Sequence, residues 1–243
     1  MKGSITFIQA CILALITASC TSYQYVLVGS ELPKDKSSHS VFYQEEEDLV
    51  IYYDFFGEGM PLDLTIHNDS AQELYVDLHK SAFLQNGLRA EQGLQPALLY
   101  TGSGTIQKDD TQASMMRNLL KLAPGDYAVL KTYPFDTEDI YPNPYFQQAL
   151  VSHDVDHSTL LFNSLLNQGN IYEVQIRLAR ESDLSDAWVS SASFKDIGIY
   201  NTNRSPRYLV HPSGDLYYQK YTSGGRFLTN VLLTTVLLML LTS

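Results

Sequence analysis

Residues 153–157, with the sequence HDVDH, form the only compact group of side chains in the chain that could bind a metal ion. On a helix, His153 and His157 would share one face, as metal ligands at this spacing must. The segment lacks the glutamate that follows the first histidine in helical zinc hydrolases, and its flanks have no clear helical pattern. We interpret it as a polar loop before Ser158. A metal-dependent hydrolase centred on His153 and His157 is the alternative from a different class of protein.

Other patterns that could support catalysis are incomplete. The segment 102–104 (GSG) has neither the length nor the following lysine of a phosphate-binding loop, so we interpret it as a turn. No serine lies in a Gly-x-Ser-x-Gly elbow. The sequence therefore predicts no catalytic residue, no metal ligand and no cofactor site, and we expect the protein not to be an enzyme.

Cys20 is the residue whose surroundings indicate a chemical modification. Lys2 precedes a mostly apolar stretch, residues 5–16, and the small residues Ala18 and Ser19 lead directly to the cysteine. This order is typical of a signal peptide, and the apolar stretch is too short to span a membrane. We predict that residues 1–19 are a lipoprotein signal peptide and that the Cys20 sulfur carries a diacylglyceryl group. Two or more acyl chains, of the palmitate kind, would hold the protein firmly at a membrane.

Two observations leave an alternative at the amino terminus. The position three residues before the cysteine is usually leucine in such signals and is Thr17 here. An ordinary secretory signal, cut near Ala18 or Ser19, would instead leave Cys20 as a free thiol. Cys11 is a poorer candidate for lipidation, because almost no apolar residues precede it.

Composition limits the class of protein and its partners. Removal of residues 1–19 leaves 224 of the 243 residues, enough for one large domain, and the charge changes from −11 to −12 because that segment carries only Lys2. Such an acidic chain argues against binding nucleic acid or anionic lipid surfaces. With Cys11 and Cys20 as the only cysteines, the mature fold has no disulfide. The 17 tyrosines indicate sheets rather than helices.

The clearest fold signal lies in residues 62–87. Leu62, Leu64 and Ile66 alternate with polar residues, and after the turn-rich segment 67–70 the residues Leu74, Val76 and Leu78 alternate in the same way. We predict an antiparallel pair of strands with these aliphatic residues facing the core. A further short strand covers 81–84 and ends at a hairpin turn, Asn86-Gly87.

Elsewhere the pattern also favours strands, with one predicted helix. Strands are expected at 22–28, 49–56, 127–130 and 171–179, and over 188–200 as a pair or one bent strand. The acidic run 45–48 is interpreted as a solvated turn between two strands, with a cation site as the alternative. Residues 112–122 place methionines and leucines at helical spacing and predict a helix that stops at Pro124-Gly125.

The carboxyl-terminal stretch 227–241 is hydrophobic and follows a glycine-rich segment, 223–226. As a helix its 15 residues would span about 22 Å, which is short of a bilayer core of roughly 30 Å. Three interpretations stay open: a short membrane-inserted helix, a terminal helix packed on the domain, or the removed tail of a glycolipid-anchor signal. The third would use Ser213-Gly214-Asp215 as the attachment site and requires a eukaryotic surface protein.

The run CTSYQY at 20–25, followed by an acidic strand pair, resembles uncharacterised lipoproteins of Bacteroides-type Gram-negative bacteria. The segments DFFGEG (54–59), IHNDS (66–70) and KSAFLQNG (80–87) carry the same resemblance, which covers residues 20–90 well and the remainder loosely. It implies a fold and a compartment but no activity. Surface export in that group is associated with acidic residues just after the cysteine. Since residues 21–25 have none, the resemblance favours an outer-membrane protein that faces the periplasm.

Together these observations predict a mainly β protein, an antiparallel immunoglobulin-like sandwich with a few short helices. The expected organisation is a signal peptide at 1–19, a β-rich domain at 20–215, and a linker with a hydrophobic tail at 216–243. The expected function is that of an envelope-anchored lipoprotein acting as a binding or structural module. Its expected partners are a membrane, through Cys20 and the tail, and a protein or glycan ligand that the sequence does not identify.

Overall fold

The computed structural model describes residues 21–35, 40–47, 49–90, 94–100, 119–132, 163–164, 169–202, 205–208 and 213–222. The described residues form fifteen strands and one turn of 3₁₀ helix, Pro206–Tyr208. In chain order the strands are β1 (Thr21–Gly29), β2 (Lys34–Asp35), β3 (Val41–Glu46), β4 (Leu49–Asp54), β5 (Gly57–Glu58), β6 (Asp63–Asn68), β7 (Leu74–Gln85), β8 (Leu88–Arg89), β9 (Gln95–Tyr100), β10 (Leu119–Leu122), β11 (Tyr127–Lys131), β12 (Asn163–Ser164), β13 (Ile171–Ala179), β14 (Trp188–Thr202) and β15 (Leu216–Thr222).

Within these residues the strands form two sheets. The large sheet has nine strands in the order β10-β7-β13-β14-β1-β15-β5, with β12 added to β14 and β8 added to β7. The small sheet has six strands in the order β2-β3-β4-β6-β11-β9. All described pairings are antiparallel except the short contact between β15 and β5. The prediction of a mainly β, antiparallel protein is confirmed.

One hydrophobic core fills the space between the two sheets. Phe194 from the large sheet lies among three aromatic rings of the small-sheet side, with centroids 5.4 Å from Phe42, 5.0 Å from Tyr53 and 4.8 Å from Phe55. Offset and edge-to-face aromatic contacts at this range add to the stabilisation that burial itself gives. These rings therefore hold the two sheets face to face.

Strict alternation of side chains explains why these segments become half-buried strands. In β4 the residues Leu49, Ile51 and Tyr53 are buried while their neighbours are only partly covered. In β13 the residues Tyr172, Val174, Ile176 and Leu178 are fully buried. Successive side chains of a strand point to opposite faces, so a period of two puts one apolar face on the core.

The long strand β7 contains a bulge. Gln175 of β13 pairs with Ala82, but Arg177 pairs with Asp77, so several residues of β7 stand opposite Ile176 alone. The buried Ser81 bridges the irregularity, since its hydroxyl donates to the Asp77 carbonyl at 2.7 Å and accepts from the Arg177 amide at 3.0 Å. The separate strands predicted before and after residue 79 are therefore one bulged strand. Its predicted end is confirmed, because Asn86 and Gly87 have positive φ values of 51° and 79° and turn the chain into β8.

The predicted pairing of residues 62–66 with 74–78 is wrong. Leu64, Ile66, Leu74 and Val76 are buried as predicted. However, β6 pairs with β4 and β11 in the small sheet, and β7 pairs with β13 and β10 in the large one. The segment at 69–73 therefore carries the chain from one sheet to the other instead of closing a hairpin.

The helix predicted over 112–122 is wrong at its carboxyl-terminal end. Leu119–Leu122 is strand β10, which pairs antiparallel with the start of β7. Leu120 and Leu122 are buried and Lys121 is exposed. A run rich in leucine fits the period of a helix as well as that of a strand. Here pairing with the edge of β7 favours the strand. The rest of that prediction, residues 112–118, lies outside the described residues.

The predicted domain boundary after residue 215 is also wrong. Residues 216–222 are not a linker, because β15 pairs with β1 along seven residues and Tyr217 is fully buried. The fold therefore extends at least to Thr222. The predicted strands at 22–28, 127–130 and 171–179 are confirmed, and 188–200 is a single strand.

Several predicted features lie outside the described residues: Cys20, His153, His157 and the tail 227–241. In the part of the chain that the structure describes, no helix has the length and apolar character needed to cross a membrane.

Candidate binding cleft

A cavity of about 520 Å³ opens where the two sheets meet at one end of the molecule. It lies beside the turn from β3 to β4, the crossing from β6 to β7 and the turn from β13 to β14. The residues that line it are Glu46, Glu47, Leu49, Asn68, Ser70, Leu74, Arg180, Asp186 and Trp188. We refer to this set as the cleft. Its size is in the range of small-ligand sites, which run from roughly 300 to 1,000 Å³.

The apolar part of the cleft continues the hydrophobic core. Leu49 and Leu74 are buried core residues at the starts of β4 and β7. Trp188, the only tryptophan of the chain, packs against the same core and is itself half-buried. An indole in this position has one part fixed by packing and another open to a ligand.

Asn68 fixes one wall of the cleft. Its side-chain amide donates to the carbonyls of Gln72, Leu122 and Ala123 at 2.9, 3.0 and 3.1 Å. Its oxygen accepts from the Ser70 amide and hydroxyl at 3.1 and 2.7 Å. Because Asn68 is almost fully buried, these bonds hold the crossing between the sheets against the end of β10.

Glu46, another lining residue, is held by two polar neighbours. Its Oε1 accepts from the Ser190 hydroxyl at 2.6 Å and from the Gln44 amide at 2.5 Å. Gln44 is itself fixed, because its Oε1 accepts from the Tyr53 hydroxyl at 3.0 Å. This carboxylate is therefore oriented by residues of both sheets.

Arg180 extends its side chain across the cleft. Its guanidinium carbon lies 5.9 Å from the centroid of the Trp188 ring, within cation–π range. Its Nη2 donates to Glu47 Oε2 at 3.1 Å. The Glu47 side chain is 82% exposed and that of Arg180 41%, so this ion pair contributes little to stability.

The turn at residues 180–187 is held by its own carboxylates. Asp186 accepts hydrogen bonds from the backbone amides of Arg180, at 3.2 and 3.1 Å, and Glu181, at 3.1 Å. The side chain and amide of Ser185 bond to Asp183 and hold the pKa of that carboxyl below its ordinary value. The backbone of the turn is thus fixed independently of where the Arg180 side chain lies.

The cleft carries more negative than positive charge. Glu46, Glu47 and Asp186 contribute three carboxylates, whereas Arg180 contributes the one cation among its lining residues. The structure therefore places a half-open aromatic ring beside an acidic rim.

A second, buried polar cluster lies within the large sheet. Asp196 Oδ2 accepts from the hydroxyls of Tyr172 at 2.8 Å and Tyr217 at 3.2 Å, and from the Asn170 amide at 3.2 Å. Asp196, Tyr172 and Tyr217 are fully buried. Since a ligand has no access to it, the cluster joins strands β13, β14 and β15 and is structural.

No motif in the sequence predicts the cleft. Its residues come from three separate segments, and Glu47 and Arg180 are 133 positions apart in the chain. The one usable signal was Trp188, a single tryptophan at the start of a predicted strand. The acidic run at 45–48 does include the turn between β3 and β4, as predicted, although Glu45 and Glu46 belong to β3. Among the residues that the structure describes, no three His, Cys, Asp or Glu side chains are grouped as a metal ion would require.

The cleft lies at one pole of the large sheet, and Thr21 and Thr222, the first and last described residues, lie at the other. Strand β14 begins at Trp188 in the cleft and ends at Thr202, which pairs with Tyr23 near the start of β1. Thr21, the residue after Cys20, pairs with Thr222, the last residue of β15. The fifteen residues of β14 correspond to roughly 45 Å of extended chain between these poles.

No family model, no curated protein and no solved structure matches the chain. The resemblance to lipoproteins of Bacteroides-type bacteria therefore stays a prediction. The fold and the cleft define a mainly β protein of two antiparallel sheets around one core.

Proposed function

We propose that the protein is an envelope lipoprotein that acts as a binding module, with its anchor at one pole and its cleft at the other. The anchor is the diacylglyceryl group on Cys20, one residue before β1. The observation that carries the proposal is the direction of β14, which runs from the cleft to the pole where β1 begins. A tether at Cys20 then holds the cleft away from the bilayer, where a ligand has access to it.

The two-sheet architecture supports an immunoglobulin-like sandwich as the structural class. Such sandwiches pack two antiparallel sheets around one core, and they commonly bind ligands at the ends of the strands. The described sheets contain more strands than the roughly seven to nine of that fold, because short strands extend both sheets. The proposed similarity to the immunoglobulin-like sandwich therefore concerns the packing of two sheets and not the number of strands.

The position of β15 argues against the glycolipid-anchored alternative. Attachment at Ser213, Gly214 or Asp215 would remove the chain beyond it. That would delete β15, the partner of β1, and with it the buried Tyr217. An outer-membrane lipoprotein facing the periplasm remains our proposed location.

Energy transfer to a labelled bilayer tests the proposed orientation. With Cys20 acylated, Lys220→Cys and Ser185→Cys each introduce the one free thiol of the mature chain. Both positions are exposed. Lys220 lies at the Cys20 pole, where it pairs with Tyr23, and Ser185 lies in the turn beside the cleft.

With the full chain in vesicles that contain an acceptor lipid, we expect strong transfer from a donor dye at position 220 and weak transfer from position 185. The two labels serve as controls for each other, because lipid composition and protein density are the same. Equal transfer from both positions, or stronger transfer from position 185, would contradict the proposed orientation.

A further inference from the structure

The cleft already contains a cation of the chain itself. The Arg180 guanidinium lies 5.9 Å from the Trp188 ring centroid and donates to Glu47 at 3.1 Å. An aromatic face and a carboxylate are the two groups that recognise a guanidinium: the ring attracts the cation, and the carboxylate accepts its N–H groups. The structure therefore contains an internal example of the chemistry that the cleft can bind.

Arg180 is a weak occupant of this position. Its side chain is 41% exposed, and its partner Glu47 is 82% exposed, so solvent competes for both. The backbone at Arg180 is held separately, by Asp186. The side chain can therefore swing away without disturbing the turn that carries it.

The remaining charges of the cleft favour a second cation. Glu46 is oriented by Ser190 and Gln44, and Asp186 also lines the cleft. When Arg180 swings out, the carboxylates exceed the positive charge of the cleft by three. Leu49 and Leu74 provide an apolar floor on which the methylene groups of a long cationic side chain can lie.

We propose that the cleft binds an arginine side chain of a peptide or protein partner, and that Arg180 competes with it from within the chain. Arginine is favoured over lysine because its planar guanidinium stacks on an indole and bonds to two acceptors at once. The inference rests on the cleft being the binding site of the proposed function, but it does not depend on the anchor. Arg180 then acts as an internal competitor that lowers the affinity for single arginine residues and leaves longer basic segments as the preferred ligands.

Binding of N-acetyl-arginine amide to the full chain in detergent tests this directly. Trp188 is the only tryptophan, so indole fluorescence reports on the cleft, and calorimetry provides a second measurement that does not depend on the ring. N-acetyl-citrulline amide is the matched control, because it has nearly the same shape without the charge. We expect binding of the arginine compound, weaker at high salt, and no binding of citrulline.

The competing role of Arg180 is tested by Arg180→Gln. This variant should bind the arginine compound about threefold to tenfold more tightly than the wild type, and adding Glu47→Gln should remove most of that gain. Unchanged melting temperatures show that the variants are folded, and Lys131→Gln, in a surface ion pair with Asp63, controls for net charge. Equal binding of citrulline, no heat of binding in folded Arg180→Gln, or preferential binding of a neutral saccharide would overturn the proposal. Because Cys20 is unaltered throughout, these outcomes are independent of whether it carries lipid.

Discussion

Thr21 and Thr222 face each other as an antiparallel pair, at the point where β1 begins and β15 ends. Opposite residues in such a pair have Cα atoms about 4.5–5.5 Å apart. Cys20 directly precedes the first of them, and the hydrophobic segment 227–241 begins five positions after the second. The described part of the chain therefore begins and ends at the same pole. One bilayer could accept the lipid on Cys20 and the tail without distorting either sheet.

The first prediction concerns the modification of Cys20. Cys20→Ser removes the only cysteine that remains after residues 1–19 are cleaved. We expect the variant to lose all labelling by a fatty-acid analogue in cells, since a hydroxyl does not replace the sulfur in the modification. Its melting temperature should match that of the wild type, because residue 20 precedes the first strand. Equal labelling of variant and wild type would contradict lipidation at this position.

The second prediction concerns the buried face of β6. Leu64 is fully buried and its neighbour Thr65 is only partly covered. Leu64→Ala should lower the free energy of unfolding by about 2–5 kcal/mol, through lost burial and the cavity it leaves. Thr65→Ala should cost less than about 1 kcal/mol. Chemical denaturation of both variants checks this. A larger loss of unfolding free energy for Thr65→Ala would mean that the Thr65 face of β6, and not the Leu64 face, is buried.

The third prediction concerns Asn68, which joins the two sheets at the cleft. Asn68→Ala leaves the carbonyls of Gln72, Leu122 and Ala123 without this donor. We expect a loss of about 1–3 kcal/mol in the free energy of unfolding, because the bond to the Leu122 carbonyl is buried. The Gln72 and Ala123 carbonyls still accept from the Ser70 hydroxyl and the Asp126 amide. Asp69→Ala is the control at the next position, where the side chain is exposed and the expected change is below about 1 kcal/mol. Equal losses of unfolding free energy for Asn68→Ala and Asp69→Ala would contradict a role of Asn68 in joining the two sheets.

Local pattern predicted which faces are buried better than it predicted which strands pair. Leu64 and Leu74 face the core as the period of two requires. Their strands belong to different sheets, because alternation identifies a buried face but not the neighbour that supplies the hydrogen bonds. At Leu119–Leu122 the sequence allowed either a helix or a strand, and only the contact with Val76 and its neighbours, distant in the chain, favours the strand.

The cleft was beyond sequence analysis for a related physical reason. Trp188, Arg180 and Glu47 share no motif, and their proximity depends on the turns β3–β4 and β13–β14 reaching the same end of the fold. Those turns are close only because their strands lie in facing sheets around one core. The sequence-predicted candidates, Cys20, His153 and His157, are by contrast local patterns, and they lie outside the described residues.

The fourth prediction concerns alkaline pH. Burial raises the pKa of Tyr53 well above its ordinary value of 10.0, and nearby Glu46 raises it further. Burial likewise raises the pKa of Tyr25, and Tyr218 adds to the effect. A raised pKa means that the folded state holds the phenolic proton more tightly. The resulting stability is fully present below about pH 10 and is lost as the pH rises toward the folded-state values.

Absorbance of tyrosinate, recorded with circular dichroism, measures this effect. Tyr25 and Tyr53 should form a late group that ionises together with unfolding. Tyr53→Phe should reduce this late group by one residue. A single transition near pH 10 with the fold intact would contradict the raised values.

The last prediction separates β15 from the hydrophobic tail. Deleting residues 216–243 removes β15, which leaves the backbone groups along one edge of β1 without their partners and takes out Tyr217, a buried partner of Asp196. We expect this variant to be unfolded or aggregated. Deleting only residues 223–243 leaves every described strand in place. Its melting temperature should match that of the wild type, because a segment inserted in a membrane contributes nothing to the core.

The membrane test for the tail uses Cys20→Ser as the background. Apolar residues occur around the whole circumference of a helix built from residues 227–241, which favours insertion over packing on the domain. Deleting 223–243 should therefore weaken membrane retention strongly when Cys20 is replaced and little when it is acylated. A large fall in melting temperature on deleting 223–243, together with no membrane binding by Cys20→Ser alone, would show instead that the tail packs on the domain.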